Sequence, residues 1–203
     1  MRHYYLDQMG ITPWVLREPR ATQPSLTQLS KTVAGCTRCP LHQSRTQTVF
    51  ARGNPQAKLM IIGEAPGFHE DQKGQPFVGA AGALLDKMVA SIGLNSDQIY
   101  IANVLKCRPP NNRDPKSEEI TACSDYLAQQ IATVNPTILL ALGKFAGQYL
   151  SNTMQSLTAM RTRIHQHQGI KVIVTYHPAY LLRRPEDKKK AYQDWITVQQ
   201  QLQ

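Results

Sequence analysis

The chain has 203 residues, enough for one sizeable hydrophobic core and short for two full domains, so we expect a single domain over residues 1–203. Its 23 Lys and Arg against 14 Asp and Glu give a net charge of +9, which favours a polyanionic partner without identifying nucleic acid. No apolar run approaches the roughly 20 residues that a membrane span needs, and the opening MRHYYLDQMG lacks the apolar region of a signal peptide. We therefore expect a soluble, cytoplasmic protein rather than a membrane protein.

Apolar runs alternate with helical patterns after an N-terminal extension, residues 1–30, that carries no obvious chemistry. Strands are predicted at 58–62, 98–104, 137–142 and 171–175. Helices are predicted at 80–92, 117–133, 144–150 and 186–202. The stretch between the first strand and residue 80 holds two prolines and four glycines and is predicted to be irregular. The alternation predicts an α/β fold in which helices cover both faces of a doubly wound parallel sheet.

The four cysteines form a second pattern. Cys36 and Cys39 make a C-x-x-C pair, and Cys107 and Cys123 follow at a distance. In a reducing cytoplasm such a set is more often a metal or cluster site than two disulfides. Four sulfurs suit either zinc or an iron–sulfur cluster, and the spacing does not choose between them. The plainer alternative is that the four cysteines are small core residues.

The remaining motifs each follow a predicted strand. GEAPG follows the first, NVLKCRPPNNR the second, LGK the third and YHPAYLLRRP the fourth. Ligands of open α/β sheets bind beyond the carboxyl ends of the strands. We therefore expect these motifs to converge on one crevice.

Three of these segments carry a resemblance to a known family. GEAPGFHEDQKGQPFVGAAGALLDKM, NVLKCRPP and HPAYLLRRP, with the four cysteines in that order, resemble the family 4 uracil-DNA glycosylases, the iron–sulfur members of their superfamily. The resemblance runs from about residue 36 to about residue 195. It implies a three-layer α/β/α sandwich with a central four-stranded parallel sheet, and excision of uracil from single- or double-stranded DNA by a monomer. It also implies a [4Fe-4S] cluster on Cys36, Cys39, Cys107 and Cys123.

The resemblance also implies roles for residues in the crevice. Gly63 and Ala65 are predicted to bind the substrate, since Gly63 lets the main chain approach a flat ligand, and Phe77 stacks on the flipped uracil. Asn103 offers a donor to uracil O4 and an acceptor to N3–H, whereas cytosine presents the reverse pattern. His177 bonds uracil O2, where negative charge gathers as the glycosidic bond breaks. For Phe77 the plain alternative is core packing.

The group that activates water is the least defined part of the site. The best known superfamily members carry an aspartate two residues after the first glycine of the motif, where this chain has Ala65. Glu64 and Glu70 are the nearby carboxylates, so both are predicted to be site residues with open roles. A highly dissociative reaction needs little activation of the nucleophile, so stabilisation of the sugar cation by a carboxylate is sufficient. For Asp71 and Lys73 we expect a solvated charged loop.

The HPAYLLRRP segment resembles the loop that enters the minor groove and fills the gap left by the flipped base. Its apolar residues are predicted to enter the DNA and its arginines to meet phosphate. These residues are Pro178, Ala179, Leu181, Leu182, Arg183 and Arg184.

Three other functional classes remain open at this point. The first is a non-catalytic iron–sulfur DNA-binding protein on the same fold. The second is a superfamily branch that traps itself on DNA through a histidine in an inserted basic loop, and the segment RPPNNRDPKSEE after Cys107 has no such histidine. The third is a zinc-ribbon nucleic-acid module, which the α/β alternation disfavours.

Overall fold

The sheet has six strands in the computed structural model, which describes residues 24–203. The strands are β1 (Arg52–Gly53), β2 (Leu59–Gly63), β3 (Ile99–Asn103), β4 (Ile138–Leu142), β5 (His165–His167) and β6 (Ile170–Thr175). Their order across the sheet is β1-β3-β2-β4-β6-β5. The central strands β3, β2, β4 and β6 pair in parallel, which confirms the predicted parallel sheet.

Two edge strands that the sequence did not predict extend the central four-stranded parallel sheet. β1 pairs antiparallel with β3, and β5 pairs antiparallel with β6. They are only two and three residues long and contain no apolar run, so the sequence pattern did not reveal them. Every residue of β2, β3 and β4 is buried, as expected for strands covered by helices on both faces.

Eight α-helices lie in residues 24–203: α1 (Leu26–Ala34), α2 (Phe68–Lys73), α3 (Ala80–Ser91), α4 (Ser117–Val134), α5 (Lys144–Ser151), α6 (Leu157–Arg161), α7 (Pro178–Arg183) and α8 (Lys188–Leu202). Single 3-10 turns lie at Pro40–Gln43, Ser96–Gln98, Pro110–Asn112 and Pro185–Asp187. The four predicted helices agree with α3, α4, α5 and α8 to within two residues at each end. Most of the N-terminal extension, residues 1–23, lies outside the described residues.

The core has two layers, one on each face of the sheet. On one face, Leu85 of α3 and Trp195 of α8 pack with Ile61 of β2. On the other face, Leu127 of α4 and Ala146 of α5 pack with Met60, the neighbouring residue of the same strand. Successive residues of a strand point to opposite faces, so β2 supplies both layers. The three-layer α/β/α sandwich is confirmed.

The stretch after β2 contains a helix that the sequence did not predict. Helix α2 lies between Gly67, its N-cap, and Gly74, which closes it in a left-handed conformation at φ 70°. Its Asp71 is buried and accepts hydrogen bonds from the backbone N–H groups of Thr46 and Gln47. The expectation of a solvated charge is therefore wrong for Asp71, which fastens α2 to the segment that leads into the sheet.

None of the helices in residues 24–203 combines the length and the apolar character that crossing a membrane requires.

Candidate active site

A cavity of about 440 Å³ opens at the carboxyl ends of the parallel strands. We call it the strand-end cavity. Its walls are Glu64, Ala65, Pro66, Gly67, Glu70, Phe77, Ala81, Asn103, Pro109, Asn112, Arg113, His177, Ala179, Tyr180 and Arg183. Glu64 follows β2, Asn103 ends β3 and His177 follows β6, so the predicted convergence of the motifs on one crevice is confirmed. The LGK motif contributes through Gly143, which packs closely against His177. A Cβ at Gly143 would lie 3.2 Å from the Cβ of His177.

Asn103 places a buried polar group in this cavity. The residue is 2% exposed, and its Oδ1 is buried without a hydrogen-bond partner in the part of the chain that the structure describes. Gly63 lies beside it in register, and a Cβ at Gly63 would overlap this oxygen. Buried polar atoms are nearly always paired, so the amide oxygen of this cavity residue is an acceptor that a ligand or a water can pair.

Gly63 itself is not part of the cavity wall. It is buried beneath Asn103 and Phe77, and a Cβ there would also lie 2.8 Å from the Phe77 ring. Gly63 therefore leaves room for these two side chains. Ala65, which was also predicted to bind the substrate, does line the cavity.

Phe77 is held in an unusual backbone conformation. Its φ of 56° lies in the left-handed region, which bulky residues rarely adopt. Gly82 of α3 packs so closely on the Phe77 carbonyl that any Cβ at this position would overlap it. The Phe77 ring stacks on that of His177, with 5.6 Å between centroids and an angle of 30°. Backbone strain of this kind persists where the surroundings enforce it and is concentrated at functional sites.

His177 caps the N-terminus of α7. Its Nδ1 accepts a hydrogen bond of 3.1 Å from the backbone N–H of Ala179. Burial, and then the nearby Arg183 guanidinium, lowers the pKa of His177 to about 4. The ring is therefore neutral at physiological pH, and because Nδ1 is an acceptor the proton lies on Nε2.

The two carboxylates of the cavity differ in their surroundings. Burial, with a smaller contribution from Asp114, raises the pKa of Glu64 to about 7. Glu70 accepts hydrogen bonds from the backbone N–H groups of Val78 and Gly79 at 3.0 and 3.3 Å. Glu70 thus fixes the entry into α3, next to the strained Phe77, while no side chain in residues 24–203 donates to the carboxylate of Glu64.

The HPAYLLRRP segment forms the short helix α7, which separates its residues. Leu182 is 46% exposed, and Arg183 and Arg184 are exposed. Leu181 is 0% exposed and packs with Tyr176 and Ala191. The prediction that Leu181 enters DNA is therefore wrong for this conformation, because the turn of α7 directs its side chain into the core.

Two other residues of this segment were predicted to enter the DNA and lie elsewhere in the structure. Pro178 is buried at the first position of α7, so it also presents no side chain to a partner. Ala179 lines the strand-end cavity. Of the arginines, Arg184 lies 3.5 Å from Glu186, whereas Arg183 lines the cavity and has no ion pair within residues 24–203.

Sequence reasoning missed several residues of the cavity wall. Asn112 and Arg113 belong to the loop after β3, where Asn112 has a φ of 53°. Arg113 forms a bidentate pair with the buried Glu119, which anchors this loop to α4. Tyr180 donates a hydrogen bond of 2.8 Å to Asp187. The left-handed Asn pair in PPNNRDP was the available signal, because Asn tolerates positive φ.

The four cysteines lie together on the side of the segment after β3 that faces away from the strand-end cavity. Cys36, Cys39, Cys107 and Cys123 line one small cavity, which we call the cysteine pocket. Within it Arg45 donates a hydrogen bond of 3.0 Å to Cys107 Sγ, and the Lys106 backbone N–H lies 3.4 Å from Cys123 Sγ. Burial raises the pKa of Cys107 to about 11, an effect that the Arg45 hydrogen bond opposes.

The potential metal ligands of this pocket are its four cysteines and His42. Within residues 24–203, no three Cys, His, Asp or Glu side chains converge tightly enough for a single metal ion. Zinc needs each sulfur at about 2.3 Å from one centre. A four-iron cluster is wider, since each cysteine binds a different iron. Four cysteine sulfurs around one cavity fit the ligand set of an iron–sulfur cluster, and four sulfurs also suit zinc.

Comparison with known proteins agrees with this geometry. The uracil DNA glycosylase superfamily model matches residues 50–196. The chain is 42% identical over 182 residues to the type-4 uracil-DNA glycosylase of Archaeoglobus fulgidus. The aligned region covers 86% of this chain and 92% of that protein. The chain belongs to the type-4 uracil-DNA glycosylase family. Further members from Sulfurisphaera tokodaii (43% identity; 87% of this chain, 84% of that protein) and Thermotoga maritima (45%; 76% and 82%) are similar.

Membership of the type-4 uracil-DNA glycosylase family confirms the resemblance read from the motifs. The region matched by the superfamily model contains the residues after β2, β3 and β6 that form the strand-end cavity, together with Cys107 and Cys123. Cys36 and Cys39 precede this region, so the superfamily match covers only half of the cysteine pocket.

Proposed function

We propose that this protein hydrolyses the N-glycosidic bond of uracil in DNA and leaves an abasic site, as in the repair of deaminated cytosine. The observation that carries the proposal is the buried, unpaired Oδ1 of Asn103 in a cavity that also contains Phe77 and a neutral His177. A base inside a duplex is inaccessible to an enzyme, so the base must be flipped into such a pocket and read along its polar edge.

Base recognition is assigned to Asn103. Its Oδ1 accepts the N3–H of uracil and its Nδ2 donates to O4. Cytosine presents an acceptor at N3 and a donor at N4, so both contacts would be reversed. Phe77 supplies an apolar ring face against which the base stacks, fixed in place by its packing against Gly82.

Bond cleavage is assigned to charge stabilisation around the breaking bond. As the bond between N1 and C1′ breaks, its electron pair passes to the base and negative charge gathers on O2. The Nε2–H of neutral His177 donates to that oxygen. A water oxygen then bonds to C1′ and loses its proton, and the released base is protonated.

The sugar cation that forms in this reaction needs a nearby negative charge, and Glu64 is the cavity carboxylate that accepts no side-chain hydrogen bond from residues 24–203. An ionised Glu64 stabilises the cation and receives the proton of the attacking water. Glu70, whose carboxylate holds the backbone of residues 78–79, is assigned to maintaining the shape of the cavity beside Phe77.

DNA contact outside the cavity is assigned to the exposed end of α7. Leu182 is an exposed apolar side chain next to Arg183, a combination suited to filling the gap of a flipped base while neutralising a phosphate. The substrate is uracil-containing DNA, single- or double-stranded, and the protein acts as a cytoplasmic monomer.

The cysteine pocket is proposed to hold a [4Fe-4S] cluster on Cys36, Cys39, Cys107 and Cys123. Such a cluster links the segment after α1 to the loop after β3 and to α4, which is a structural contribution. Iron and sulfide analysis of the purified protein, together with its visible absorbance, tests this assignment; zinc without sulfide would contradict it.

The activity is tested by incubating the protein with oligonucleotides that carry a single uracil, thymine or cytosine. We expect free uracil and an alkali-labile abasic site from the uracil substrate alone. The control is His177→Ala prepared in parallel, which excludes a contaminating glycosylase. DNA binding without base release would instead support the alternative, a non-catalytic iron–sulfur DNA-binding protein.

A further inference from the structure

Lys106 lies between the strand-end cavity and the cysteine pocket. It is three residues after Asn103, directly before Cys107, and only 1% exposed. Its Nζ donates a hydrogen bond of 2.6 Å to the backbone carbonyl of Asn103. A fully buried lysine is rare unless its ammonium is paired or hydrogen-bonded, so this contact is the reason to look for a role.

The Asn103 carbonyl needs this donor because it lies beyond the end of its neighbouring strand. β1 pairs only with Tyr100 and Ile101 of β3. On the opposite edge, the next residue, Val104, donates its N–H to the Gly63 carbonyl. The Lys106 ammonium therefore takes the place of a strand partner at the last residue of β3, which carries the unpaired amide in the cavity.

The other surroundings of Lys106 hold it in place. Its backbone carbonyl accepts a hydrogen bond of 2.8 Å from Val49, and its backbone N–H contacts Cys123 Sγ at 3.4 Å. Within residues 24–203 no carboxylate forms an ion pair with it. Two groups able to carry negative charge adjoin Lys106: Cys107, the next residue, and Cys123, whose Sγ its backbone N–H contacts. Both sulfurs are thiolates when they bind metal.

We propose that Lys106 is a positioning residue for base recognition: by binding the Asn103 carbonyl, it fixes the direction of the Asn103 amide from within the wall of the cysteine pocket. The inference rests on the proposed role of Asn103 in reading uracil. It assigns Lys106 no contact with the substrate. Misalignment of a base-reading amide affects catalysis strongly because productive contacts tolerate little displacement.

The test is a double-mutant cycle with Lys106→Met and Asn103→Ala, read as single-turnover uracil release per iron-containing molecule. Alanine at position 103 keeps the carbonyl that Lys106 binds and removes only the amide. In the wild-type background we expect Lys106→Met to lower the rate at least tenfold. In the Asn103→Ala background the same change should lower it less than twofold, because the group being positioned is gone.

Equal losses in both backgrounds would overturn the proposal, because a purely structural lysine acts whether or not the amide is present. No loss in the wild-type background would overturn it too. Lys106→Gln, which keeps an N–H donor, is expected to recover part of the lost rate. Failure of both variants to incorporate iron would assign Lys106 to the cysteine pocket alone and contradict the proposal. A wild-type rate for Asn103→Ala would instead refute base reading by Asn103.

Discussion

The strand-end cavity and the cysteine pocket lie on either side of the segment from Asn103 to Cys107. They differ in whether their polar atoms are hydrogen-bonded to the protein. In the cavity, Asn103 Oδ1 is buried and has no hydrogen-bond partner among the residues that the structure describes. In the pocket, the sulfurs of Cys107 and Cys123 already accept hydrogen bonds from the protein. The difference agrees with the proposed roles, in which the cavity binds a substrate transiently and the pocket holds a permanent cluster.

The comparison predicts different consequences of mutation in the two regions. A change in the cysteine pocket should act first on stability, and a change in the strand-end cavity should act first on excision. The following variants test whether the two regions differ in this way, and they are given in order of decreasing expected effect.

Replacing Cys107 by alanine should have the largest effect. We expect loss of visible absorbance and a fall in melting temperature of about 10 °C or more, since losing a metal anchor exceeds about 4 kcal/mol and each kcal/mol shifts a chain of this size by about 2–4 °C. Thermal unfolding followed by circular dichroism measures this. The control is Ser124→Ala, next to Cys123. An unchanged spectrum and melting curve would show that the cysteines are ordinary core residues.

Gly82→Ala should have the next largest effect, and we expect it to act on the strand-end cavity. The added Cβ would overlap the Phe77 carbonyl, so either Phe77 or α3 must move. Overpacking of this kind costs about 1–3 kcal/mol of stability. Stacking of a base on an aromatic ring is worth about 1–3 kcal/mol, so a displaced ring should reduce uracil release by about tenfold or more. Gly35→Ala is the matched control, since a Cβ there meets no atom of residues 24–203 within 4 Å. Equal activity of the two variants would remove Phe77 from the site.

The fold was predictable from sequence because β2, β3 and β4 are continuous apolar runs whose burial on both faces requires helices on both sides. The site was predictable because its motifs follow these strands. Helix α2 was not predictable, because the flanking Gly67 and Gly74 read as loop signals although they serve as its caps. Burial of Leu181 but not of Leu182 depends on the rotation of a six-residue helix, which so short a segment does not specify.

Lys106 illustrates the same limit in the segment shared by the two regions. Lysine is normally exposed, and its hydrogen bond to Asn103 arises only because β1 ends before reaching that residue. This depends on the length of an edge strand that the sequence pattern does not indicate.

The pH dependence of excision should report on Glu64 and not on His177. Burial raises the pKa of Glu64 to about 7, and the reaction uses its ionised form, so the single-turnover rate should rise about tenfold between pH 6 and pH 8. The pKa of His177, lowered to about 4, lies below this range and adds no step. Glu64→Gln should be slower at pH 8 and nearly independent of pH. A rise that persists in Glu64→Gln would assign the titration to another group.

Replacing Arg183 should have the smallest effect. Loss of one phosphate contact reduces the slope of log affinity against log salt by about 0.7 for single-stranded DNA or about 0.9 for a duplex. Arg184→Ala is the comparison, and it should change the slope less because Arg184 pairs with Glu186. Binding titrations at several salt concentrations measure both. Identical slopes for Arg183→Ala and the wild type would place Arg183 outside the DNA interface.

The central claim, that Asn103 reads uracil in the strand-end cavity, is tested most directly by single-turnover base release from Asn103→Asp. The change replaces the donor facing O4 with a second acceptor, and a base contact of this kind is worth about 1–3 kcal/mol, so uracil release should fall about tenfold to a few hundredfold. The matched control is Asn112→Asp, which adds the same charge to the same cavity wall while keeping the acceptor for Arg108, and it should change the rate less than threefold. Wild-type uracil release by Asn103→Asp would contradict the account.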